Sequence, residues 1–295
     1  MNQVRDIIRV NQVHQQGYTG KGIHIAIVDS GLSPHPDYRN RILGWYDALH
    51  SSPIPYDDSG HGSHVAGISA GDGSLSDGRY RGIAPEASLI GVKVLDHEGN
   101  GTIREIIKGL NWILRNQYYL DIRIVNISIG TNDPQKFDET SAFVQKVNQL
   151  WNSGIVVVAA AGNKGPGRYS ISAPGNSRKI ITVGSSDLPQ PRQITHSGVG
   201  PTLACIRKPD IVAPGSHIIS CARMMSDHSY PYYTKKSGTS MSTPIVSGAI
   251  ALLLQKYPSL TPKEIKIRLK NSSTNLYLPH EKQGWGLINV SSFLS

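Results

Sequence analysis

The sequence has two cysteines in 295 residues, Cys205 and Cys221. That count excludes a disulfide framework, and reduced, buried thiols are the expectation. No run of 18 apolar residues occurs, which excludes a membrane-spanning helix. The opening stretch, MNQVRDIIRVNQVHQQGYTGKG, is polar and has no apolar signal core. The chain is therefore read as cytoplasmic, or as secreted if it is a mature fragment whose signal and pro-segments were removed. Blocks of like charge are missing as well. The net charge of +9 is spread out, and the densest basic patch, Lys263 to Lys270, alternates with apolar residues at helical spacing. This is the solvated face of an amphipathic helix, so no nucleic-acid partner is expected. Without repeats, low-complexity tracts or a long linker, residues 1–295 are expected to form one domain, with 1–16 as an N-terminal tail and no prodomain.

Apolar runs of strand length alternate with helical patterns. Ile23–Val28, Ser88–Leu95, Ile124–Ile129, Ile155–Ala160 and Ile180–Val183 read as buried strands. Ile103–Arg115 and Thr140–Asn152 have helical periodicity between them. Thr239–Lys256, Pro262–Asn271 and a stretch near Leu287–Phe293 read as helices outside the sheet. Strand, helix, strand in this order implies parallel pairing by right-handed crossovers. The expected fold class is α/β, three layers (αβα) around a doubly wound, mostly parallel central sheet. Ligands of such a sheet bind beyond the carboxyl ends of its strands. Asp29, Ser128 and Asn163 all fall there.

Three segments carry chemistry. Ile27-Val28-Asp29-Ser30-Gly31 puts a carboxylate directly after a buried strand. Ser59-Gly60-His61-Gly62-Ser63-His64 surrounds a histidine with small residues that admit other backbone. Ser237-Gly238-Thr239-Ser240-Met241-Ser242-Thr243-Pro244 puts a hydroxyl at the first turn of a helix, where unpaired N–H groups and the dipole favour an anion. Together they supply a carboxylate, a base and a nucleophile. Zinc held by His61 and His64 is the metal alternative; an HExxH arrangement and a third suitably spaced ligand are absent.

From about Gly17 to its end the chain resembles the subtilisin-like serine proteases, the subtilases of peptidase family S8, with the order Asp, His, Ser. The resemblance implies a serine endopeptidase acting on extended polypeptide through an acyl-enzyme. Ser240 would be the nucleophile, His61 the general base and then acid, and Asp29 the partner of the other ring nitrogen. His64 matches a structural position of the helix. Asn163, in Ala159-Ala160-Ala161-Gly162-Asn163, matches the oxyanion donor. Ser128-Ile129-Gly130 and Gly99-Asn100-Gly101 resemble the two segments that pair with the substrate backbone. Ala161 and Gly162 would wall the primary specificity pocket, with the region around Ser172-Ala173-Pro174-Gly175. Lys164 would sit at its rim, and Arg168 nearby. These two read as surface charge; the alternative is tolerance for an acidic residue before the cleaved bond. An inactive peptide-binding scaffold and a metal-dependent hydrolase using Asp29, His61 and His64 are the rival classes.

No cofactor is implied for catalysis. Asp37, in His35-Pro36-Asp37, matches a family aspartate that can ligate calcium, which leaves room for a structural ion. The segment Gly71 to Arg81 does not match the family's calcium loop, and six oxygen ligands cannot be assembled from sequence.

Overall fold

The computed structural model describes residues 1–295 except 132–137, 188, 189, 191 and 225–230. In chain order the helices and strands are α1 (Asn2–Ile7), α2 (Val10–Gln15), β1 (His24–Asp29), β2 (Ile42–Asp47), α3 (His61–Ala70), β3 (Ser88–Lys93), α4 (Ile103–Asn116), β4 (Ile122–Ile127) and α5 (Ala142–Asn152). Then come β5 (Val156–Ala160), β6 (Ile181–Ser186), β7 (Ile211–Pro214), β8 (Ile218–Cys221), β9 (Tyr233–Lys236), α6 (Thr239–Lys256), α7 (Pro262–Ser272), α8 (His280–Gln283) and α9 (Val290–Leu294).

The first seven strands form one sheet in the order β2-β3-β1-β4-β5-β6-β7. Every pairing within it is parallel. Its central strands are buried on both faces, which is why they read as continuous apolar runs instead of alternating ones. One face packs against α3 and α6, whose Val65, Ile68, Ile245 and Ile250 share a core with Ile25 and Ile27. The other face packs against α4 and α5 through Leu110, Ile113, Phe143 and Val147. The three-layer αβα expectation holds.

Residues 1–16 are more than a polar tail. Val4, Ile8, Val10 and Val13 lie in the same core as α6, so α1 and α2 are anchored by an apolar stripe that scattered polar residues disguise. Cys221 is buried as expected, but Cys205 is exposed; both are free thiols. In α7, Ile265 and Leu269 face inward and leave Lys263 and Lys270 to solvent, while Lys266 turns back to pair with Asp210 at 3.2 Å. Among the described residues no helix is long and apolar enough to cross a membrane.

Strand order reverses at β1, with β3 on one side and β4 on the other. A crevice opens at the carboxyl ends of strands where order reverses in this way. Asp29 ends β1 on that edge, and Ser128 follows the end of β4.

Candidate active site

Asp29 is fully buried where β1 stops. Its Oδ1 accepts the Ser30 backbone N–H at 2.7 Å and meets His61 Nδ1 at 2.7 Å. A carboxylate at that distance holds the ring proton on Nδ1 and leaves Nε2 as the basic nitrogen. Burial of the ring works against the imidazolium. The charge and hydrogen bond of Asp29 outweigh it, so the His61 pKa is raised above that of ordinary histidine. Asp57 adds to that rise and Lys236 opposes it.

His61 opens α3, and Gly62 follows it because nothing larger fits. A Cβ at Gly62 would lie 2.2 Å from the Gly31 carbonyl oxygen. His64, one turn on, is buried, with Nε2 3.1 Å from both the Ile218 and Thr234 carbonyl oxygens. Desolvation pushes its pKa down to about 3. His64 thus donates from Nε2 to two carbonyls while His61 donates from Nδ1 to Asp29, and among the described residues neither ring belongs to a group of three possible metal ligands.

Ser240 lies in the first turn of α6. Gly238 precedes the helix at φ +135°, and a Cβ there would come 3.2 Å from Asn163 Nδ2. The Ser240 hydroxyl donates to the Ser128 carbonyl at 2.8 Å, and not to His61. Such contacts tighten on substrate binding in many hydrolases. Asn163 Oδ1 accepts Thr239 N–H at 2.9 Å and Thr239 Oγ1–H at 3.1 Å. With its oxygen committed, the amide nitrogen is the end that can donate to an anion.

His61, Gly99, Asn100, Gly101, Ser128, Ile129 and Gly130 line one cleft of about 610 Å³. Apolar side chains of Leu95, Ile106 and Phe143 line it too, and Lys236 is at its edge. Ala161 and Gly162 do not line this cleft; they are buried beside it, and a Cβ at Gly162 would press on Ser172 Oγ. Asn163 borders a second hollow of about 270 Å³, with Asp187, His196 and Ser216, which the sequence does not announce. Lys164 is exposed. Arg168 stacks over Tyr169 and lies 4.0 Å from Glu281, which agrees with surface charge.

Asp37 does not fit a hard cation. Its carboxylate accepts Tyr233 OH at 2.9 and 3.1 Å, Ser74 Oγ at 3.2 Å, the Leu75 N–H at 3.3 Å and Cys221 Sγ at 3.6 Å. These neighbours are donors, whereas calcium needs six or more oxygen ligands. Among the described residues Asp37 shares a group of possible metal ligands only with His35 and Cys221, whose nitrogen and sulfur suit a softer ion than calcium. In the adjoining loop, Arg5 Nη1 donates to the Gly78 and Arg81 carbonyls at 3.0 and 3.2 Å.

Asn126, Asp57 and Lys93 also support the site, and sequence reading does not find them. Asn126 Nδ2 donates to Ser128 Oγ at 2.9 Å and its Oδ1 accepts Ser247 Oγ–H at 2.8 Å. Lys93 is fully buried and reaches the Ser30 and Leu95 carbonyls and Asp58. The only sequence signal for Lys93 is a lone charge at the end of an apolar strand.

The family model described as the subtilase family matches residues 20–286. Serine protease AprX of Bacillus subtilis (strain 168) is 44% identical over 282 residues. That alignment covers 88% of this chain and 62% of AprX, so the chain spans less than two thirds of that relative's length. Subtilisin Savinase of Lederbergia lenta is 36% identical over 293 residues, covering 97% of this chain and 95% of that protein. A solved cold adapted subtilisin-like serine proteinase superposes with a TM-score of 0.75 at 27% identity, over 92% of this chain and 90% of that one. By sequence and by fold, this chain belongs to the subtilase family, the serine proteases of peptidase family S8.

Proposed function

We propose that this chain is a serine endopeptidase that cleaves extended polypeptides through an Asp29–His61–Ser240 triad. The observation that carries the reading is the 2.7 Å contact between buried Asp29 and His61 Nδ1, with Ser240 in the first turn of α6 on the same sheet edge. His61 Nε2 takes the hydroxyl proton as Ser240 Oγ, having left the Ser128 carbonyl, attacks the scissile carbonyl. The Asn163 amide and the Ser240 backbone N–H receive the oxyanion. His61 then gives its proton to the leaving amine, an acyl-enzyme remains on Ser240, and water activated by His61 releases it. The reaction needs no cofactor. Gly99–Gly101 and Ser128–Gly130 face one cleft, which suits a substrate strand held by its main chain. Ala161 and Gly162 are suited to form the neighbouring pocket wall, with Lys164 at the rim.

Covalent labelling tests this. A fluorophosphonate should modify Ser240 in the folded protein, and Ser240→Ala should remove both the adduct and peptide cleavage. Asn163→Ala should lower kcat about 10²–10³-fold. A folded protein that takes no adduct sinks the proposal. Loss of cleavage in chelator, with Ser240→Ala still active, would point to a metal-dependent hydrolase instead.

A further inference from the structure

Asp57 lies four residues before His61, in the loop that enters α3, and is 7% exposed. Its Oδ1 accepts Ser30 Oγ–H at 2.8 Å, Gly60 N–H at 2.8 Å and Ser59 N–H at 3.2 Å. Its Oδ2 accepts Ser63 N–H at 2.8 Å and Ser63 Oγ–H at 2.7 Å. Ser30 Oγ in turn accepts the Gly62 N–H at 2.9 Å. Gly60 caps α3 with no side chain of its own, so the free N–H groups of the first turn are met by Asp57 and Ser30. The backbones of Gly31 and Asp57 also form an antiparallel bridge.

These donors are not a random set. Ser30 follows Asp29 directly; Ser59, Gly60, Gly62 and Ser63 surround His61. Asp29 and His61 belong to separate elements, a strand and a helix, and their contact is only as good as the registration of the two. We infer that Asp57 is a positioning residue for the proposed reaction, fixing the His61 ring against the Asp29 carboxylate through Ser30 and the first turn of α3. It hydrogen-bonds to neither residue itself. This inference rests on the triad reading given above. A misplacement of about 1 Å in such a constellation costs about 10²-fold in rate.

Asp57 also contributes charge. The ionisable groups that face His61 are Asp29 from β1, Asp57 from the entering loop, Lys236 from β9 and the neutral His64 on the next turn of α3. Asp57 carries one of the two negative charges in that set. Its removal disturbs geometry and field together, whereas Ser30→Ala disturbs geometry alone.

The test compares the parent, Asp57→Asn and Ser30→Ala. For each, kcat and KM are measured against pH on a peptide substrate, and the downfield His61 Nδ1 proton is followed by NMR. Asp57→Asn should lower kcat about 10–100-fold with KM within about threefold. Its acidic limb should move to lower pH, because the imidazolium loses a favourable charge. Ser30→Ala should lower kcat by a smaller factor, shift the proton resonance and leave the limb in place. Parental kcat in folded Asp57→Asn overturns the inference. So does a fall in kcat with the limb and the resonance both unchanged, which marks a purely structural role. Should Asp57→Asn fail to fold, parental kcat and resonance in Ser30→Ala overturn it. Fluorophosphonate labelling of the parent separates the two levels: an unlabelled parent sinks the triad and this inference with it, while a labelled parent with unaffected variants sinks this inference alone.

Discussion

Ser128 and Ser240 are joined twice. Ser240 Oγ donates to the Ser128 carbonyl at 2.8 Å, and Ser128 Oγ donates to the Ser240 carbonyl at 2.9 Å. The second bond has a cause within α6. In a regular helix the Ser240 carbonyl would accept the N–H of residue 244, but that residue is Pro244 and has none. Ser128 fills the vacancy, and its own hydroxyl is fixed by Asn126. The proline in the helix and the serine after β4 therefore act as one device at Ser240.

That dependence can be measured in a double-mutant cycle. Ser128→Ala should cost about 1–3 kcal/mol, since it strands the Ser240 carbonyl. In a Pro244→Ala background the helix supplies its own N–H, and the same substitution should cost clearly less. Denaturant unfolding of the four proteins provides the comparison. Equal costs in both backgrounds would show that Ser128 does not serve the Ser240 carbonyl.

In the proposed mechanism His61 is the general base, and Lys236 bears on the acidic limb of its pH profile. A general base must be neutral, so activity falls as pH drops through the His61 pKa, which lies above that of ordinary histidine. Lys236 opposes this rise. Lys236→Ala should therefore move the acidic limb of kcat/KM to higher pH, more at low salt than at high salt. A limb that stays in place or moves down would remove Lys236 from the electrostatics of the base.

Much of this arrangement is legible in the chain. β4 and β5 announce themselves because both their faces are buried, and the bounds of α6 coincide with its apolar run. The residues of the proposed triad lie in three short motifs whose small neighbours have steric reasons, as Gly62 and Gly238 do. β2 is not legible: it is an edge strand, half-buried, with Gly44 in its middle. β7 has four residues and ends in proline, and among the described residues β8 and β9 pair only with each other. Asp57 and Lys93 escape for another reason. A buried charge is recognised by its partners, and these come from segments up to 63 residues away. Asp37 shows the converse, a residue whose motif suggests a cation ligand and whose neighbours turn out to be hydrogen-bond donors.

Asp37 also yields a chelation test. Its oxygens are engaged by Tyr233, Ser74, Leu75 and Cys221, so melting of the purified protein should be the same with and without a strong chelator. Asp37→Ala should lower stability by about 2–3 kcal/mol, because hydrogen bonds to a buried charged group are lost. A melting temperature that falls in chelator and recovers with added calcium in the parent, but not in Asp37→Ala, would show that Asp37 binds a cation after all.

His64 should make the fold sensitive to acid. Its pKa is about 3 in the folded chain, against 6.5 ordinarily, since burial disfavours the charged ring more than the Ile218 and Thr234 carbonyls favour it. Above pH 6.5 the ring is neutral in both states and stability does not depend on it. Below that, the unfolded chain binds a proton that the folded chain refuses. Stability from this group therefore falls as pH drops from 6.5 towards 3, by about 1.4 kcal/mol per pH unit. His61 acts in the opposite sense, because its raised pKa contributes stability at low pH that is lost as pH rises. His64→Gln keeps a donor for the two carbonyls and removes the titration. Its urea midpoint should fall less steeply than the parent's between pH 6 and pH 4. Parallel slopes for the two proteins would assign the acid sensitivity to other groups.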